Sequence, residues 1–411
     1  MASFASLLSD LKTATGVATG GNINGGTGRN ASNRRAPPPP SEVDPTSKVD
    51  PSFQPSIVKE CIERMLRVQQ MRRSFAASTA SAAGGGCPGA ASDGRTNAHI
   101  AVCATIVDDF PHEAIWRRWL ASGGELDGLD GRVGGFTSSA ELYVHAKNPE
   151  RVRSAWLRSK TLPVTHRPDW NDVRIVRAIL SLIAEALKDA RMTHILLCTE
   201  SCVPITTLKE AARSVLLDEI CPWEEEGKSS EGQGGKSVDW DRSYVDCYGR
   251  DSSRCSRFDE HSCWGALRDC IPADAIYKAL PGWCLLSRKH ARSMLDLPDS
   301  LGGNNLWPAF ERVWAPEEVY LPTALSVCGH MDEVSRRALT HSRWDERAAR
   351  HEDRAHPLSY DGRFGHELVS SLRRDGRLFL RKMKRPLDLD VWERVVLRKE
   401  EAEAPGDSAV D

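Results

Sequence analysis

Residues 313–326 read VWAPEEVYLPTALS, two adjacent glutamates behind a proline and ahead of an apolar run. A carboxylate held in this way can serve as a general base, taking a proton from an attacking hydroxyl. The same pattern is also a plain helix start, with proline at the first helical position and acids in the first turn. Nothing local separates Glu317 from Glu318. The basic run RRDGRLFLRKMKRP, residues 373–386, reads on its own as a set of solvated charges. Asp388-Leu389-Asp390 is a formal Asp-x-Asp. Cys202 is not a credible nucleophile, because no local histidine or second acid supports it.

The elements that must position these residues begin at His99. HIAVCATIV is a continuous apolar run of strand length, followed by a helix in PHEAIWRRWLAS and a second strand in AELYVHA. A helix over about 172–190 carries the apolar stripe Val176, Ile179, Leu180, Ile183 and Leu187. HILLCT, residues 194–199, reads as a buried third strand. Apolar strands alternating with helices predict an α/β fold with a parallel sheet covered on both faces. Ligands of such sheets bind beyond the carboxyl ends of the strands, and that edge holds Thr105, His145, Glu200 and Ser201. GWCLLSRKHARSML predicts a strand running into a helix. No G-x-G-x-x-G or P-loop occurs, which counts against a standard dinucleotide or ATP site.

The flanks differ. Residues 1–95 are rich in Gly, Ser, Ala and Pro, a composition that predicts disorder. One helical island over about 55–75 interrupts them, with Ile57, Cys61, Met65 and Val68 spaced for one face. Asn30 heads a glycosylation sequon, meaningful only in a secretory lumen. Residues 222–237 predict a mobile loop, and 399–411 an acidic disordered tail. The 411 residues carry 55 basic against 57 acidic side chains, so a nucleic-acid partner is not expected. No run of about 18 apolar residues is present, so no membrane span is encoded, and no signal peptide is visible. The 12 cysteines contain no Cys-x-x-Cys pair, which argues against a zinc site built on thiolates. Disulfides and buried free thiols both remain open.

LYVHAKNP, HILLCTESCVPI, GWCLLSRKHA, APEEVYLPTALS, HPLSY and LFLRKM occur in an order that resembles the core-2/I-branching N-acetylglucosaminyltransferase family. That family also takes in xylosyl- and glucuronosyltransferases, and the resemblance is closest to its plant and algal branch. It covers about residues 97–398. The resemblance implies a GT-A glycosyltransferase fold over 96–398, with a Rossmann-like nucleotide half at about 96–220 and an acceptor half at about 240–398. Residues 1–95 are then stem-like. It implies an inverting transfer of GlcNAc, xylose or glucuronic acid from a UDP-sugar to a glycan or glycoprotein hydroxyl, with no divalent metal or other cofactor.

The roles follow from that resemblance residue by residue. Glu318 takes the place of the general base and Glu317 that of its usual aspartate neighbour. Lys382 takes the place of a lysine on the UDP pyrophosphate. Arg363 is the nearest match to a second cation there, with Arg373 and Arg374 as rivals. Thr105 and His145 fall at nucleotide contacts, and Glu200 and Ser201 border the donor. Trp283 matches an aromatic wall of the acceptor site, although LPGWCLL lacks the family's Gly-Ser and has Cys284 for Phe. Asp388 and Asp390 are read as the start of the last helix rather than a metal site. Relatives sit in the Golgi lumen on an N-terminal membrane anchor. This chain shows none, so association with a membrane requires an anchor preceding Met1. The alternative reading is an inactive relative that binds glycans or nucleotide-sugars.

Overall fold

A computed structural model describes residues 53–82, 96–126, 136–218, 238–344 and 356–397. The Gly- and Pro-rich N-terminal tracts, the Asn30 sequon, the 222–237 loop and the tail from Lys399 lie outside these residues. The strands are β1 (Asn97–Ile106), β2 (Gly124–Leu126), β3 (Phe136–Ala146), β4 (His194–Thr199), β5 (Val203–Pro204), β6 (Ser243–Tyr244), β7 (Cys247–Gly249), β8 (Tyr277–Ala279), β9 (Leu285–Ser287), β10 (Val334–Ser335), β11 (Thr340–Ser342) and β12 (Phe379–Arg381). The helices used below are α1 (Pro55–Ala82), α2 (Glu113–Leu120), α3 (Arg174–Ala186), α4 (Leu208–Leu217), α5 (Arg288–Leu295), α6 (Pro316–Cys328), α7 (His366–Arg374) and α8 (Leu389–Trp392).

β1 pairs in parallel with β3 on one side and with β4 on the other. Ala101, Cys103, Ile195 and Leu197 face one core, and Ile100, Val102, Leu196 and Cys198 face the other. Burial on both faces is why these runs carry no polar alternation. The α/β expectation therefore stands, but the sheet is mixed rather than parallel throughout. Its order is β10-β6-β9-β4-β1-β3-β2, with β9 antiparallel to β4 and β2 antiparallel to β3. An antiparallel neighbour of β4 must begin at the carboxyl edge of β4. The turn 281–284 that leads into β9 is thereby held at the edge where ligands of such sheets bind, and the Leu197 N–H donates to the Cys284 carbonyl at 2.9 Å.

α3 packs Val176, Ile179 and Ile183 into the same core as Tyr320, Leu321 and Ala324 of α6. The expected helical island is longer than its sequence suggests, reaching Ala82, and its buried stripe is rotated. Val58, Cys61 and Ile62 enter the core, while Ile57 and Val68 stay at the surface at 38% and 36% exposure. Two candidate stripes overlap in IVKECI, and the partner surface on α6 selects between them. Gln69 of α1 donates from Nε2 to the Val327 carbonyl at 2.7 Å. The described cysteines are free thiols, most of them buried.

On the opposite face, α2 buries Trp116 and Trp119 completely. The Trp116 ring stacks on Phe379 of β12 at 6.1 Å, and its Nε1 donates to the Cys202 carbonyl at 3.0 Å. One side chain therefore ties α2 to both β12 and the turn after β4. Trp116→Ala should lose about 3–5 kcal/mol of unfolding free energy, since it opens a cavity and leaves a buried carbonyl unpaired. Urea denaturation followed by fluorescence measures this, and a loss below about 1 kcal/mol would contradict the assignment.

Candidate active site

β4 ends at Thr199, and the chain turns through Glu200–Cys202 into β5. β5 pairs antiparallel with β12, Val203 opposite Leu380, which carries the residues after β12 to the carboxyl edge of the central sheet. The Met383 N–H donates to the Ser201 carbonyl at 2.9 Å, and the Ser201 and Thr199 hydroxyls share a hydrogen bond at 3.1 Å. Arg381 and Lys382 are fixed beside Glu200. Burial raises the pKa of Glu200, and Arg381 and Lys382 oppose that rise. Burial, then repulsion from Arg381 and Lys384, lowers the pKa of the partly buried Lys382. Crowded cations of this kind lower their mutual repulsion when an anion arrives.

Arg381 extends the cluster. Its guanidinium carbon lies 5.2 Å over the Trp283 ring, and its buried Nε has no hydrogen-bond partner among the described residues. Trp283 is only 8% exposed, so in this geometry it backs Arg381 rather than offering an open stacking face. Arg381 also acts electrostatically on both carboxyls that open α6.

α6 starts as its sequence suggests, with Pro316 in its first turn. Its cap, Ala315, is in the left-handed region at φ 49, which costs a β-carbon-bearing residue about 1–2 kcal/mol. The Asn171 side-chain oxygen accepts the Ala315 N–H and holds that turn. Glu318 Oε2 lies 3.7 Å from Lys278 Nζ on β8, and Lys278 donates to Asp259 Oδ1 at 2.7 Å. Asp259 is itself held by the Ser256 hydroxyl at 2.7 Å. Gly282 lies directly against this turn, since a Cβ there would stand 3.1 Å from Glu318 Cγ and 3.3 Å from its Cα.

The electrostatics separate the two glutamates. Burial pushes Glu318 up, Lys278 pulls it down, Glu317 pushes it up again, and the outcome is a carboxyl raised to about 7. Burial alone lowers the pKa of Lys278, but Glu318 and Asp259 reverse this and keep it charged. Burial also raises Glu317, whose Oε2 is buried without a hydrogen-bond partner among the described residues. Glu318 is thus the carboxyl with a charge partner and a proton affinity near neutrality.

Residues 241–373 match the sequence model of the family described as "Branch: Core-2/I-Branching enzyme". The match takes in 133 of the 411 residues, and the likeness to the core-2/I-branching enzymes rests on that stretch. The chain is similar to the "Glycosyltransferase BC10" of Oryza sativa subsp. japonica, at 22% identity over 286 residues, 64% of this chain and 62% of that relative. The matched stretch includes Trp283, Glu317, Glu318 and Arg363 and ends before Lys382.

Other residues singled out in the sequence fall in different places. Thr105 lies opposite both His145 and Thr199 across the three parallel strands. Its hydroxyl donates to the Cys198 carbonyl at 3.4 Å. His145 Nε2 accepts the His166 N–H at 3.0 Å, the two rings stack at 5.6 Å, and burial lowers the His145 pKa to about 4. His145 is therefore a buried neutral ring that supports the turn at His166. A cleft of about 280 Å³ beside His166, lined by Arg177, Leu180 and Trp307, contains none of the site's carboxylates or cations.

Arg363 is exposed, on a loop whose Tyr360 N–H donates to the Lys382 carbonyl at 2.9 Å. Its rival Arg373 is buried and donates to the carbonyls of Ile205 and Val396, which makes it structural. Arg374 is exposed on α7. Asp388 caps α8, accepting the N–H groups of Asp390 at 2.8 Å and Val391 at 3.1 Å. Burial raises the pKa of Cys202, in keeping with an inert thiol.

Sequence reasoning missed Lys278, Asp259 and Arg381. A signal for Lys278 exists, because AIYKAL places a lysine inside an apolar run, and a buried lysine needs a carboxylate. The raised pKa of Glu318 also predicts a pH-dependent stability. Between the ordinary carboxyl value of 4.5 and about 7, the unfolded chain ionises Glu318 while the folded one does not. Folding stability therefore falls as pH rises through that window. Glu318→Gln should match the parent in urea denaturation at pH 4 and exceed it at pH 8; equal stability at both would contradict the shift.

Proposed function

We propose that this protein is an inverting glycosyltransferase with a GT-A fold. It moves GlcNAc, xylose or glucuronic acid from a UDP-sugar to a glycan or glycoprotein hydroxyl without a divalent metal. The observation that carries the reading is Glu318, a carboxyl raised to about 7 and held by Lys278, within electrostatic reach of Arg381. The acceptor hydroxyl attacks the anomeric carbon and forms a new C–O bond as the C–O bond to phosphate breaks. The hydroxyl proton passes to Glu318, and UDP leaves with the bonding electrons. The transition state resembles an oxocarbenium ion. Lys382, Arg381 and the more exposed Arg363 supply the positive charge that meets the departing pyrophosphate. Glu200 and Ser201, at the end of β4, border the donor, and Thr105 and His145 hold the strand ends behind it.

Glu317 adds to the proton affinity of Glu318. Trp283 backs Arg381 at the edge of the acceptor side. No helix among the described residues is long and apolar enough to cross a membrane. The resemblance favours work in the Golgi lumen.

The test is UDP release from a panel of UDP-sugars, with EDTA present and a mixed glycan acceptor pool. Release is expected with at least one donor. The rate should rise as pH increases through about 7, where Glu318 becomes ionised. Glu318→Gln should lose about 10²–10⁴-fold, and Lys382→Ala about 10–100-fold in kcat/KM. Release unchanged by Glu318→Gln would overturn the base. No release from any donor, together with measurable glycan binding, would favour an inactive binding relative.

A further inference from the structure

At the far end of α6, two histidines and a glutamate meet outside the proposed transfer site. His290 lies in the first turn of α5, His330 just beyond the C-terminal cap of α6, and Glu333 in the turn leading to β10. Their ligand-type atoms all lie within 4.8 Å of one another. His290 Nε2 is 2.8 Å and His330 Nδ1 3.7 Å from Glu333 Oε2. Tetrahedral zinc with bonds of about 2.0–2.1 Å needs ligand separations of roughly 3.3 Å, between those two distances.

The remote ring nitrogens strengthen the case. The Ser293 hydroxyl donates to the Lys289 carbonyl at 3.1 Å, so its oxygen is left to accept from His330 Nε2 at 2.9 Å. That assigns the proton of His330 to Nε2 and leaves the lone pair of Nδ1 facing the Glu333 carboxylate. A lone pair opposite a carboxylate is unfavourable unless a cation stands between them. His290 Nδ1 is likewise 2.7 Å from the Ser243 hydroxyl, whose oxygen accepts the Ser287 N–H at 2.8 Å. Each imidazole thus has a serine on its remote nitrogen, the arrangement that orients histidines toward a metal.

We propose that His290, His330 and Glu333 form a site for a divalent transition metal, best matched to Zn²⁺, that clamps α5 to the end of α6. Two imidazoles and one carboxylate suit zinc rather than magnesium or calcium. His290 would bind through Nε2, its proton moving to Nδ1 and toward Ser243, with no net proton released. Lys289 Nζ is 2.7 Å from each Glu333 oxygen, so it keeps one oxygen when the other turns to the metal. The side chains of His290, His330 and Glu333 are 0%, 15% and 42% exposed, which leaves the outer face open to a water as fourth ligand. Along α6 the site lies about 15 Å from Glu318, so its role is structural, apart from the transfer chemistry.

The test is titration of the metal-stripped full chain with Zn²⁺ alone, by calorimetry, and with Co²⁺ by visible absorption. One equivalent should bind, and His330→Ala and Glu333→Gln should each weaken binding at least tenfold, on the scale of lost metal contacts. The Co²⁺ form should show d–d bands without thiolate charge transfer. Ser293→Ala, which frees the remote nitrogen of His330 and the exposed Lys289 carbonyl but leaves all three ligands in place, should weaken binding less and keeps the test valid if either ligand variant unfolds. No binding at micromolar Zn²⁺, affinity unchanged in the variants, or a thiolate signature from the cysteines would overturn the site.

Discussion

The antiparallel pairing of β5 with β12 is the constraint on which the site depends. β5 follows β4 by one tight turn, whereas β12 lies far along the chain, so this short ladder joins the end of the chain to the end of the central sheet. Without it Arg381 and Lys382 would have no reason to stand beside Glu200. Trp116 guards the same junction from the core side, with one face on Phe379 and its N–H on the Cys202 carbonyl. The ladder is only two residue pairs long, so its stability comes from the aromatic packing beneath it rather than from its own hydrogen bonds.

Charge is distributed unevenly around this edge. Lys278 lies between Asp259 and Glu318, with Glu317 adjacent, so three carboxyls share Lys278 and the more distant Arg381. The imbalance keeps the proton affinity of Glu318 high, because desolvation of a carboxylate is only partly compensated. On the β12 side Arg381, Lys382 and Lys384 outnumber Glu200, and burial together with that repulsion makes Lys382 less basic. Each half is unfavourable as it stands. A proton on one side and an anion on the other relieve both, the balance a transfer from an acidic leaving group to a neutral hydroxyl requires.

The parts legible in the sequence are those set by local pattern. HILLCT became β4 with the expected bounds, and the stripe of Val176, Ile179 and Ile183 became the buried face of α3, because unbroken or 3.6-residue apolar spacing leaves little choice. Asp388, expected at the start of the last helix, caps α8. The stripe of α1 was misread, since IVKECI offers two overlapping faces and only the tertiary partner decides. GWCLLSRKHARSML showed β9 and the helix after it, but not the antiparallel pairing of β9 with β4, and β6 and β10 are two residues long and carry no period of their own. Motif order singled out Glu318. The ion pair that tunes it joins segments whose meeting depends on the antiparallel pairing of β7 with β8, and no spacing rule encodes that.

Asn171 gives the fold a less obvious property. Its side chain holds the strained turn at Ala315 from 144 positions earlier in the chain, and Asn171 is itself left-handed at φ 61. The orientation of the carboxyl that opens α6 is thus shared between two distant stretches of sequence that must vary together. A drifting lineage could misplace the Glu318 carboxyl through position 171 while every residue around that carboxyl stayed intact. Such a change would be invisible to any survey that inspects only the residues around Glu318.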